Sequence, residues 1–369
     1  MFAKLQEADY KLLFVVFLLV CFGIVMIYSS SAIMTGEKRA DQFFFLKKQI
    51  LWTLISLVFF LFFASLNYRY LQKVSTAAII TSIILLIAVL IIGKSVKGAR
   101  RWIHLGLIDF QPSEFAKFAV ILFVADFIDK NKSKLKDFVK GFLPPIIVAC
   151  VASFLIALEP DIGIPFIIIT VTMIVLFIGG ARIMHLLALF LLAVPVLYFE
   201  ILSKPYRVAR FFAFMDPWKH AQSSAYQLCQ SLMSLGSGGI FGKGLGGSEL
   251  KKFYLPEAHT DFIFSVIGEE LGILGTIVIV GLFAYFLYRG IKIAQKAKDL
   301  FGMLLASGIT LLIVLQAFFN MAVCSGLLPT KGIALPFFSY GGTSLILTMS
   351  AVGILANISR NRGKLTVFR

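Results

Sequence analysis

Charge is scarce in this sequence. Of 369 residues only 15% are Asp, Glu, Lys or Arg, where a soluble domain carries roughly 25%, so an ordinary soluble globular domain is excluded. Acids are scarcer than bases, 19 against 35, which leaves a formal net charge of +16. Cysteine numbers four. Cys21, Cys150, Cys229 and Cys324 show neither metal spacing nor a disulfide framework; three read as small core hydrophobes and Cys229 has no evident partner. No cleavable leader is expected either. The first apolar run, Leu12 to Tyr28, is too long for a signal h-region and has no small-x-small site at its end, so it reads as a spanning helix. The glycine run "GSGGIFGKGLGG" lacks the strand context and the Lys-Ser/Thr pair of a Walker A loop.

What is abundant is apolar. The chain is 59% hydrophobic, holds 38 phenylalanines and has a mean hydropathy of +0.92. Apolar runs near twenty residues recur along its length, enough to cross about 30 Å of hydrocarbon as helix. Lipid leaves no partner for an open backbone group, and the runs are too long for barrel strands. The expected fold is an all-α polytopic membrane protein, one transmembrane domain over residues 1–369. Ten spans are predicted: 11–31, 45–65, 74–92, 111–128, 142–158, 162–180, 184–201, 261–288, 301–325 and 336–357. The basic loops "NYRYLQK" at 67–73, "DKNKSKLKDFVK" at 129–140 and "RGIKIAQKAK" at 289–298, with the tail "RNRGKLTVFR", place both termini in the cytoplasm. The net charge then answers to anionic lipid rather than to nucleic acid.

Two segments assigned to the outer face oppose that charge rule. Residues 93–110 carry Lys94, Lys97, Arg100 and Arg101; residues 202–260 form one long extracytoplasmic loop between the seventh and eighth spans, with Arg207, Arg210, Lys243, Lys251 and Lys252. Long loops are exempt from the rule. The short segment is explained less well, and outward cations suit an anionic ligand such as a lipid phosphate. Within the loop, "AYQLCQSLMSL" predicts a short amphipathic helix, and the glycine run predicts turns.

Acids inside spans are costly and face a partner or a cavity. Glu114 and Lys117 share a helix face three residues apart, as a structural pair or part of a ligand site. Glu159 and Asp161, in the tight turn "ALEPDIGIPF", read as interfacial caps or as hard oxygen ligands for Mg²⁺ or Mn²⁺. Asp261 opens the eighth span, where N-capping is one explanation. Glu269 and Glu270 lie deeper in the same helix, beyond the reach of capping. With His259 they predict a hydrated cavity, usable for proton-linked transport or for transfer chemistry on an alcohol with a phosphate leaving group.

The blocks "GARRWIHLG" at 98–106, "FQPSEFAK" at 110–117, "PDIG" at 160–163, "FMDPW" at 214–218, "YQLCQSL" at 226–232, "GSGGIFGKGLG" at 236–246, "LPEAHTDFIFSVIGEELGILG" at 255–275 and "NMAVCSGLLPTKGIALPFFSYGGTS" at 320–344 occur in this order. Together they resemble the shape, elongation, division and sporulation (SEDS) family of peptidoglycan polymerases, the FtsW/RodA/SpoVE group. "PTKG" and "YQLCQSL" look more like the division-associated FtsW branch than RodA. The resemblance implies a glycosyltransferase of the bacterial cytoplasmic membrane that polymerises lipid II with inversion and releases undecaprenyl pyrophosphate. It implies a class B penicillin-binding transpeptidase and other divisome or elongasome membrane proteins as partners.

Asp261 maps onto the family's essential acid and is expected to act as general base. Arg100, Arg101, Lys117, Arg210 and Lys243 are expected to bind the anionic substrate, with Trp102, Glu114, His259 and Ser344 beside them. Asp161 is the candidate metal ligand, and no organic cofactor is expected. "SYGGTS" at 339–344 reads as close helix packing first and as a binding element second. A lipid II flippase and a non-catalytic divisome or elongasome scaffold are the rival readings. Glu159 and the stretch "HAQSSAYQ" depart from the family pattern.

Overall fold

A computed structural model describes residues 8–39, 43–96, 99–104, 106, 109–202, 205–248 and 260–361. Twelve α-helices follow in chain order: α1 Tyr10–Arg39, α2 Phe44–Ser65, α3 Arg69–Ile92, α4 Pro112–Lys130, α5 Leu143–Leu158, α6 Gly163–Gly179, α7 Ile183–Leu202, α8 Pro205–Met215, α9 Tyr226–Ser237, α10 Ile263–Gln295, α11 Leu300–Cys324 and α12 Gly342–Arg360. Among the described residues, seven helical segments are long and apolar enough to cross a membrane: Tyr10–Ser31, Phe44–Ser65, Arg69–Ile92, Phe138–Leu158, Ile263–Gln295, Leu300–Cys324 and Gly342–Arg360. Helices α6 and α7 supply shorter apolar stretches. Helix α4 falls outside the apolar set because it carries Glu114, Lys117, Asp126 and Asp129. It nevertheless lies inside the bundle, with Ala116, Val120, Ile121, Val124 and Ala125 at 2% exposure or less.

Helices α11 and α12 are buried nearly all round and form the middle of the bundle. A helix apolar on every side belongs at such a centre. Helices α2 and α3 turn Leu54, Val58, Phe62, Ile80, Ile84 and Ile91 outward, as lipid-facing helices do. The basic end of the bundle is closed by polar fasteners. The Asp9 carboxylate pairs with Arg289 and accepts from the Leu12 amide at 3.1 Å. The Tyr68 hydroxyl donates to Asp299 at 2.8 Å, and the Asn357 amide donates to the Ala64 carbonyl at 2.8 Å.

Four expectations change. The fold is not wholly helical: β1 Lys94–Val96, β2 Ala99–His104 and β3 Asp109–Phe110 form an antiparallel sheet in the order β1-β2-β3. These residues lie beyond the end of α3, and strand pairing satisfies their backbone. The last span begins at Gly342, because 329–341 is an irregular segment held by side chains of α11 rather than a helical turn. Helix α10 runs to Gln295 and breaks at Gly272. Cys150 is exposed on the bundle surface instead of packing in the core, whereas Cys229 and Cys324 are buried. The amphipathic helix predicted from "AYQLCQSLMSL" is α9.

Candidate active site

At the end of the bundle opposite the basic fasteners, the 329–341 segment lies against Asp261, the start of α6 meets that segment where Gly163 faces Ile333, and the sheet joins the 159–162 turn through Arg101. Asp261 is not the N-cap of α10. Phe262 holds that position and makes no side-chain cap bond. The Asp261 backbone is fixed instead: its carbonyl accepts from the Asn320 side-chain amide at 2.7 Å, with Cys324 Sγ at 3.6 Å. The preceding carbonyl, of Thr260, accepts from Ser339 Oγ at 2.5 Å. The carboxylate lies against Gly332, where a Cβ would come within 2.7 Å of Asp261 Oδ2. Asp261 itself is half-buried. A rigidly held backbone thus carries an acid at the mouth of the bundle.

The segment under that acid is hung from α11. Asn320 also donates to the Ile333 carbonyl at 2.6 Å, and Gln316 Nε2 donates to the Ala334 carbonyl at 2.9 Å. Gln316 Oε1 in turn accepts from Lys117 Nζ at 2.6 Å, and Lys117 pairs with Glu114 at 2.9 Å. Lys117 and Glu114 are both buried, so the pair predicted within α4 exists and reaches the Asp261 region through Gln316. Ser339 Oγ accepts from the Leu335 amide at 2.7 Å, which closes the segment on itself. "SYG" at 339–341 therefore lies ahead of α12 as part of the irregular segment, and Ser344 sits half-buried in the first turn of that helix.

The turn at 159–162 faces the same region. Arg101 donates from Nε to the Glu159 carbonyl at 2.9 Å and from Nη2 to the Pro160 carbonyl at 2.8 Å; its Nη1 is 4.0 Å from Asp161 Oδ2. Asp161 Oδ1 accepts from the Gly163 and Ile164 amides at 3.0 and 3.3 Å and so caps α6. Burial raises the Asp161 pKa, opposed by Arg101, by those two amides and by Lys331. Glu159 is fully buried, and neither of its carboxyl oxygens has a hydrogen-bond partner among the described residues. Burial, then the Asp161 charge, push its pKa up to about 8 against the pull of Arg101.

The other expected cations are dispersed. Arg100 is exposed and donates to the Leu90 carbonyl at 3.1 Å. Trp102 is half-buried on β2, opposite Lys94. Arg210 is exposed on α8. Lys243 pairs with Glu269 at 3.0 Å, about two helical turns along the chain from Asp261. Glu257 and His259, with Lys251 and Lys252, lie outside the described residues. The expected hydrated cavity does not extend along α10: Glu269 and Glu270 are fully buried and bonded to serines and to the loop. Sequence reasoning passed over Gln316, Asn320 and Lys331. The first two had a visible signal, two amides four residues apart on one face of an otherwise apolar helix.

The profile of the FtsW/RodA/SpoVE family, described as "Cell cycle protein", matches residues 10–364. A probable peptidoglycan glycosyltransferase FtsW from Geobacter sp. (strain M18) is 43% identical over 363 residues, covering 98% of this chain and 99% of the relative. The stage V sporulation protein E of Bacillus subtilis (strain 168) is 40% identical over 362 residues, covering 98% and 99%. Among solved structures, a chain of a peptidoglycan synthase complex that coordinates polymerization and crosslinking superposes with a TM-score of 0.81 at 28% identity, covering 96% of this chain and 98% of that one. The rod shape determining protein RodA of Thermus thermophilus superposes with a TM-score of 0.71 at 27% identity, covering 96% and 97%. The chain is thus more similar to relatives named FtsW than to this RodA. By sequence over nearly its whole length and by fold, this chain belongs to the FtsW/RodA/SpoVE family of multi-pass membrane proteins.

Proposed function

We propose that the chain is a peptidoglycan glycosyltransferase that polymerises lipid II at the outer face of the bacterial cytoplasmic membrane. Ten passes, the seven apolar segments with α4, α6 and α7, put both termini in the cytoplasm and the Asp261 end outside. The observation that carries the reading is Asp261 itself: a half-buried carboxylate on a backbone pinned by Asn320 and Ser339, at the mouth of the bundle. An incoming sugar 4-hydroxyl needs one base within hydrogen-bond reach, a contribution of about 10²–10⁴-fold in rate. A pyrophosphate leaves without protonation, so a single acid suffices and the linkage inverts.

Cations would neutralise the departing charge. Arg101, ordered by two carbonyls of the 159–162 turn, is the best placed of those predicted, and Lys331 adds charge beside Asp161. Lys117, held by Glu114 and Gln316, supports the segment under Asp261 from inside. Arg100, Trp102, Arg210, His259 and Ser344 are assigned to the substrate rim. Mg²⁺ and Mn²⁺ need only one or two carboxylates when phosphate oxygens and water complete the shell. The orphaned oxygens of Glu159 and the Asp161 carboxylate fit that requirement. When bound there, the ion would supply positive charge to the pyrophosphate. A class B transpeptidase is the proposed partner, in keeping with the synthase complex that the fold resembles.

The test is the purified chain in proteoliposomes with labelled lipid II, with and without a transpeptidase partner, and with chelator followed by Mg²⁺ or Mn²⁺. Glycan polymer is the expected product. Movement of lipid II across the bilayer with no polymer under any condition would replace this reading with a flippase.

A further inference from the structure

Helix α10 is two half-helices joined at Gly272, whose backbone sits at φ 67° and ψ −165°. A break at membrane depth strands backbone donors and acceptors that lipid cannot satisfy. Here the glycine-rich loop splices it from both sides. The Lys243 and Gly244 amides donate to the Glu269 and Glu270 carbonyls, each at 3.0 Å, and so complete the end of the first half-helix. The Ile273 and Leu274 amides donate to the Gly239 and Ile240 carbonyls at 2.9 and 3.3 Å and so start the second. Gly242 and Gly272 meet backbone against backbone, and a Cβ on either would collide with the other segment.

Two buried acids lock that splice. Glu269, fully buried, accepts from Lys243 Nζ at 3.0 Å, Ser234 Oγ at 2.9 Å and Ser248 Oγ at 2.5 Å. Glu270 accepts from Ser29 Oγ at 2.7 and 2.6 Å, and Ser29 Oγ accepts from the Gly246 amide at 3.1 Å. The Lys243–Glu269 link ties loop to helix directly by charge. The half-helix so held, Ile263–Leu271, begins two residues after Asp261 and carries Glu269 about two turns in from its start.

We propose that Glu269 is a positioning residue for the polymerase site: its carboxylate locks the glycine-rich loop across the break in α10 and thereby fixes the half-helix that presents Asp261. This rests on the reading of Asp261 as the acid of that site. Glu269 touches no reacting atom. It acts through Lys243, the spliced backbone and the half-helix.

The test uses the full chain in proteoliposomes with lipid II, comparing Glu269→Gln, Lys243→Met, the double variant, Glu269→Asp and Asp261→Asn. Steady-state kinetics are read together with hydrogen exchange at the Lys243, Gly244, Ile273 and Leu274 amides. Glu269→Gln is expected to lower kcat by about tenfold to a hundredfold with KM little changed, the scale of an ångström misplacement. Lys243→Met is expected to do the same, the double variant no worse than either single, and Glu269→Asp to recover part of the rate. The four amides are expected to exchange at least about tenfold faster wherever kcat falls. A well-folded Glu269→Gln protein with wild-type kcat overturns the proposal, as does a lowered kcat with all four amides still protected. If Glu269→Gln fails to fold, Lys243→Met, changed at the partly exposed end of the pair, decides the question by the same readouts. Activity in Asp261→Asn would instead sink the general-base reading, while the exchange measurement still reports whether Glu269 locks the loop.

Discussion

Lys117 and Lys243 each meet a buried glutamate, Glu114 at 2.9 Å and Glu269 at 3.0 Å. The first pair lies within one helix, three residues apart, with both side chains under 5% exposed. The second joins a loop to a helix 26 residues away, and its lysine is 31% exposed. One is paired as soon as α4 forms and then props the 329–341 segment through Gln316. The other exists only when the loop has docked. The same two side chains therefore serve as an internal strut in one place and as a latch in the other, and burial of the lysine separates the roles.

The contrast is broken or sharpened first by removing each lysine. Lys117→Met leaves Glu114 buried without its cation and is expected to cost about 3 kcal/mol or more of stability. Lys243→Met also strips the cation from a buried glutamate, but Ser234 and Ser248 still donate to Glu269, so the cost is expected to be smaller, about 1–3 kcal/mol, with activity lowered. Thermal unfolding in detergent checks both, and equal losses would erase the distinction. Next comes a substitution that moves the acid without touching either pair. Gly332→Ala would put a Cβ within 2.7 Å of Asp261 Oδ2, the end of a side chain that can swing away. Polymerisation is expected to fall about tenfold or more with the melting temperature nearly unchanged.

Glu159 supplies a third case, a buried glutamate with no lysine. Its folded pKa, about 8, is above the ordinary carboxyl value of 4.5. The neutral acid is favoured by the fold, so the stabilisation is complete below about pH 4.5 and is lost as pH rises through 8. Asp161, raised in the same direction, adds to the trend. Melting temperature is therefore expected to fall from pH 5 to pH 9, and Glu159→Gln is expected to flatten that fall. The smallest effect belongs to Arg100→Ala. Its side chain is exposed and bonded only to the Leu90 carbonyl among the described residues, so stability is expected to change by less than about 0.5 kcal/mol in the same unfolding assay.

The spans were legible because lipid demands long apolar helices, and their register along the chain followed from hydropathy alone. The Glu114–Lys117 pair was legible because helical geometry is local. The N-terminal end of α12 was not: "PTKGIALPFFSYGG" is apolar enough to pass for helix, and only the amides of Gln316 and Asn320 on another element hold it irregular. The strands within 94–110 escaped for a related reason, since strands of two to six residues leave a weak mark in the sequence. Lys243 read as a free ligand cation because its partner lies 26 residues downstream. Glu269 and Glu270 read as cavity walls because hydropathy cannot tell a carboxylate facing water from one bonded to serines. Asp261 was recognised from its motif; that it is not an N-cap needed the coordinates.

The account's central claim is that one carboxylate, Asp261, performs the proton transfer in glycan polymerisation. Its most direct test is single-turnover polymerisation of lipid II by Asp261→Asn beside the wild-type protein, in the presence of the transpeptidase partner. The account predicts a well-folded variant that retains lipid II binding and loses about 10²-fold or more in polymerisation rate. A variant that binds and polymerises at the wild-type rate would contradict it.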